Sequence, residues 1–77
     1  MPTIFIVAKS ETSYRIYLKT KNLSSEDFRY VENANTIHNA NAGSLVIFLN
    51  DYHKNKFSLH INELVKYRID LIRLKEY

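Results

Sequence analysis

At 77 residues, 45% hydrophobic and 25% charged, the chain has the size and composition of one globular domain over residues 1–77, with no room for a second core. It holds no cysteine, which excludes disulfides, thiolate zinc sites and cysteine nucleophiles and fits a reducing compartment, expected to be the cytoplasm. The formal charge is +3 but unevenly laid out: up to Lys21, the cations Lys9, Arg15, Lys19 and Lys21 oppose only Glu11, whereas Arg29 is then outnumbered by Glu26, Asp27, Glu32 and Asp51, and the remainder is basic again. A two-signed surface of this kind suits docking to a protein at least as well as tracking a phosphate backbone. The longest apolar run, residues 45–49, is too short to cross a bilayer, and residues 1–8 lack the basic start and long apolar centre of a secretory signal, so neither a membrane span nor export is expected.

In chain order, residues 3–8 are β-branched and aromatic, which predicts a strand, and residues 10–13 form a polar break. Over residues 13–21, Tyr14, Ile16 and Leu18 alternate with Arg15, Tyr17 and Lys19, and Lys21 extends the polar row. A period of two predicts a half-buried strand whose outer face is a basic row carrying a tyrosine, paired with the first strand as a hairpin. Ser24, followed by Glu26 and Asp27 and with Leu23 placed to meet Phe28, is a helix-start signature and predicts a short helix over residues 25–33. The competing reading puts Phe28 and Tyr30 on one face of a strand. Asn33-Ala34-Asn35 and Asn39-Ala40-Asn41 bracket Thr36-Ile37-His38, predicted as a short edge strand, and Gly43, the single glycine, marks a turn.

Residues 45–49 are apolar on both faces, the pattern of a central strand covered from both sides. After a polar loop over residues 50–56, Phe57, Leu59 and Ile61 alternate with Ser58 and His60 as another half-buried strand. From Asn62 onward two periods compete, but a helix would set Arg68 and Lys75 inside its apolar arc, which favours a strand over residues 66–73. The expected fold is mainly β: a small curled antiparallel meander sheet or partly open barrel of five to six strands with at most one short helix.

Nothing in the pattern predicts catalysis. His38, His53 and His60 match no zinc spacing, and a single glycine excludes a Gly-rich phosphate loop of the Walker or dinucleotide type. A histidine ribonuclease with His60 or His53 as general base and Lys54 or Arg73 as the stabilising cation is set against the plainer reading of exposed histidines without a role. The protein is therefore expected not to be an enzyme and to need no metal or cofactor. The better candidate is a basic-aromatic surface: Arg15, Tyr17, Lys19 and Lys21 on one strand face, joined by Tyr52, Lys54 and Lys56 in the loop. Such a surface docks a protein partner or, alternatively, holds single-stranded nucleic acid by phosphate contacts and stacking; it also keeps a small β protein soluble.

Tyr14-Arg15-Ile16-Tyr17, Gly43-Ser44-Leu45-Val46-Ile47-Phe48 and Phe57-Ser58-Leu59-His60-Ile61 together make the chain similar to short β-meander accessory proteins of phages and mobile elements. The resemblance implies a non-enzymatic binding protein that regulates or inhibits a larger host protein, such as a host enzyme or a defence complex. The net positive charge departs from the acidic nucleic-acid mimics among such inhibitors. A small core and the open edges of a meander, at residues 36–39 or 3–7, further predict a homodimer.

Overall fold

Four short apolar segments form one sheet, and every pair within it runs parallel. The computed structural model describes residues 4–75. In chain order the elements are β1 (Ile4–Val7), α1 (Glu11–Thr20), β2 (Phe28–Tyr30), α2 (Ala34–His38), β3 (Leu45–Phe48), a 3-10 turn (Tyr52–Lys54), α3 (Ser58–Tyr67) and β4 (Ile72–Lys75). The strand order is β2-β1-β3-β4, with β1 and β3 central. Parallel neighbours cannot be joined by a tight turn, so each connection crosses over through a helix.

The helices divide between the two faces. Phe5 and Val7 of β1 and Val46 and Phe48 of β3 point to the side where Ile37 of α2 and Ile61 and Val65 of α3 pack. Ile6, Ala8 and Leu49 point to the other, covered by Tyr14 and Leu18 of α1 with Tyr17, Phe28 and Tyr30 around them. This is a doubly wound α/β arrangement.

The expected mainly β antiparallel meander or partly open barrel is therefore overturned, along with the hairpin that began it. At residues 13–21 the alternation was shared by a helix, because Tyr14 and Leu18 lie four apart and suit either period. The positions between them decide: Ile16 is 59% exposed while Tyr17 is half-buried. Ser10 starts α1 by accepting the Ser13 N–H at 3.4 Å. At its other end Asn22 takes φ 55°, and the Asn22 and Leu23 N–H groups bond back to Lys19 and Leu18 carbonyls, which closes the helix. Likewise residues 57–61 open α3, whose buried side is Ile61 and Val65, leaving Leu59 76% exposed.

The helix expected over residues 25–33 is instead β2. Ser24 caps only a turn, its Oγ accepting the Glu26 N–H at 3.3 Å, and Phe28 and Tyr30 share the α1 face as the competing strand reading had them. Thr36-Ile37-His38 belongs to α2, capped by Asn33, and of the strand expected over residues 66–73 only Ile72 and Arg73 are strand, at the start of β4, while Lys66 and Tyr67 end α3. Gly43 does turn the chain, at φ 86°.

Two consequences follow for association. Residues 36–39 are not a strand, and Ile4–Val7 is paired on both sides, so neither edge from which the homodimer was expected exists; Thr3 lies outside the described residues. The likeness to β-meander accessory or inhibitor proteins of phages loses its basis in the same way. Among the described residues, no helix is long and apolar enough to cross a membrane.

Candidate functional site

A parallel sheet gathers the ends of its strands. Here the chain leaves β1, β2 and β3 on one rim, and the central strands β1 and β3 send it to helices on opposite faces. Between such loops a doubly wound sheet leaves a crevice. It is present as a cleft of about 540 Å³ lined by residues from all three loops: Lys9 and Ser10 after β1, Glu32 and Asn33 after β2, and Lys54, Asn55, Lys56 and Phe57 after β3.

Two side chains brace this rim. Asn55 is buried, and its amide donates to the Ala8 carbonyl at 2.8 Å and to the Tyr30 hydroxyl at 3.3 Å, while its Oδ1 accepts the Phe57 N–H at 2.8 Å. One amide thus ties together the exits of β1, β2 and β3. Asp51 accepts the Lys9 N–H at 3.3 Å and the Ser13 hydroxyl at 2.5 Å, fixing the start of α1 to the loop after β3. Burial pushes the Tyr30 phenol above its usual range, against the opposing effect of its hydrogen bond to Asn55. Tyr14, tilted against Tyr30 at 5.6 Å between ring centroids, is shifted upward by burial as well.

The second feature is a face the helices do not cover. Parallel sheets are ordinarily sheathed on both sides. The α1 side is packed over β1 and β2, but in register with half-buried Leu45 and Ile47 stand Ile72 and Leu74 of β4, 49% and 44% exposed. On the same side of the sheet a mostly apolar groove of about 330 Å³ runs between α1 and the exit of β3, with Ile16, Tyr17, Thr20 and Lys21 on one wall and Leu49 and Asn50 on the other. The opposite side of β4 differs: Arg73 lies over the Phe48 ring at 4.5 Å.

The candidate residues read from the sequence do not form one surface. On α1 rather than a strand, Arg15 and Lys19 lie one turn apart on the exposed side, Arg15 paired with Glu11 at 3.0 Å, whereas Tyr17 and Lys21 line the groove. Lys54 and Lys56 sit in the rim crevice. Tyr52 is half-buried, its ring edge-on to Phe48 at 5.0 Å. The three histidines are exposed on α2, the 3-10 turn and α3, and none lines the crevice or the groove. Lys9, Glu32, Asn55 and Phe57, and on the open face Ile16, Ile72 and Leu74, were missed; the signal for the first group is position just beyond a strand, which has meaning only once the strands are parallel. Set against known proteins, the chain has no significant match among family models, curated proteins or solved structures.

Proposed function

We propose that this is a non-enzymatic binding protein that docks on a larger protein partner through the uncovered side of β3 and β4. The observation that carries the reading is the half-bare face of a parallel sheet, where Ile72 and Leu74 stand 49% and 44% exposed in register with half-buried Leu45 and Ile47, on the side where α1 and Leu49 frame an apolar groove that Ile16, 59% exposed, lines. Exposed apolar surface grouped in this way marks interaction sites. Finishing the burial of these three side chains contributes about 1 kcal/mol each. The matching partner segment is apolar with acidic neighbours, because Lys21 lines the groove and Lys19 stands on the outer side of the same helix. A chain without cysteine accords with a cytoplasmic setting.

A photo-crosslinking residue at position 72, compared with one at Lys66 on the exposed side of α3, tests the reading in cells of the native host. A protein captured from position 72 alone, and lost with Ile16→Ser or Leu74→Ser while the thermal melt is unchanged, is the expected result. Equal capture from both positions, or none from position 72, overturns it.

A further inference from the structure

We propose that the rim crevice is a second, independent site, which binds a nucleoside phosphate, with the phosphate on its lysines and the base on Phe57. The cleft of about 540 Å³ is large enough to take one nucleotide, within the general range of about 300–1,000 Å³ for small-ligand sites. It lies where ligands bind in open α/β sheets, beyond the carboxyl ends of the strands at the point where the connections diverge.

The charge favours an anion. Lys9, Lys54 and Lys56 line the crevice against Glu11 and Glu32, and Glu11 is already engaged by Arg15 at 3.0 Å. The ammonium groups supply the positive charge, and of the N–H groups around the start of α1 that of Lys9 goes to Asp51 and that of Ser13 to Ser10. That is why the crevice needs no glycine-rich loop, and why it would read a phosphate as a point charge rather than by its shape.

The base has a platform. Phe57 is 43% exposed at the edge of the crevice, with the Lys56 ammonium 5.2 Å from its ring centre. Its backbone is held by Asn55, so the ring stands on a braced segment rather than a free loop. An exposed ring beside cations suits a planar base joined to a phosphate. Glu32, exposed two residues beyond β2, makes no hydrogen bond among the described residues and is placed to accept from ribose hydroxyls, as an acid after the second strand does in dinucleotide sites.

The test is titration of the ¹⁵N-labelled protein with AMP, inorganic phosphate, adenosine and a ten-residue single-stranded oligonucleotide. The expected result is shifts at residues 9–11, 32–33 and 54–57 with AMP, and weaker or no shifts there with phosphate or adenosine alone. Phe57→Ala should weaken AMP binding about fivefold or more, in line with the usual worth of base stacking. Lys54→Ser should weaken it while leaving the spectrum elsewhere intact, and Lys66→Ala should change nothing. Rim shifts with the oligonucleotide that are stronger and steeper in salt than those with AMP identify a strand as the source; AMP alone identifies a free nucleotide. Absence of rim shifts with both AMP and the oligonucleotide at millimolar concentration overturns the proposal, and so does an effect of inorganic phosphate equal to that of AMP. These readouts are untouched by substitutions at Ile16 or Leu74, so failure of either site leaves the other standing.

Discussion

Asn55 is the residue on which the rim depends most. Its amide satisfies the Ala8 carbonyl, the Tyr30 hydroxyl and the Phe57 N–H from a position only 6% exposed. Truncation leaves those groups without this partner and opens a small cavity, at a net cost of about 1 kcal/mol per hydrogen bond. Asn55→Ala is expected to destabilise the protein by about 3 kcal/mol in urea unfolding, whereas Asn55→Asp, which keeps the acceptor and places a charge in a buried position, is expected to do no better. A loss below about 1 kcal/mol for Asn55→Ala would mean that the three loops hold one another without it.

At the scale of elements, the link between α3 and β4 is held by Arg68. Its guanidinium donates to the Ile37 carbonyl at 3.3 Å and the Ala40 carbonyl at 2.8 Å, so it closes the exposed end of α2, and it grips Asp70 through two bonds of 2.9 and 2.8 Å. The hydrogen bonds from Arg68 hold the Asp70 carboxyl below its usual range, and the same pairing holds Arg68 above its own. A carboxyl depressed in the folded state stabilises fully above its unfolded pKa and loses that contribution as pH falls through the folded value. Stability should therefore decline on acidification below about pH 4, near the ordinary aspartate pKa. Asp70→Asn should flatten that part of the profile in urea midpoints measured between pH 7 and pH 3. An unchanged acid limb in the variant would assign the decline to other carboxyls.

For the whole molecule, the sheet order sets the gradient of stability. β1 and β3 are paired on both edges and carry Ile6, Val7 and Val46 at 0% exposure, whereas β4 is exposed along its length and β2 has three residues. Local opening is cheapest where few apolar contacts are lost. Amide exchange should thus be slowest in β1 and β3 and fastest in β4, and a partner seated on the open face should slow β4 more than β2. Protection of β4 equal to that of β1 in the free protein would contradict an uncovered edge.

The sequence by itself determined a size suited to one domain, the apolar strands at Ile4–Val7 and Leu45–Phe48, the turn at Gly43 and the exposure of Lys54 and Lys56. It could not decide between strand and helix where Tyr14 and Leu18, or Phe57 and Ile61, lie four apart, because both periods return such a pair to the same side. Only the sheet beneath chooses, by half-burying Tyr17 and leaving Ile16 and Leu59 outside. Strand direction is likewise absent from local pattern, since a parallel pair is made by the crossover between strands and not by either strand. Direction in turn places the crevice: Asn55 meets Ala8 across 47 residues because the exits of β1 and β3 share a rim, and antiparallel pairing of these two neighbours would have sent them to opposite ends.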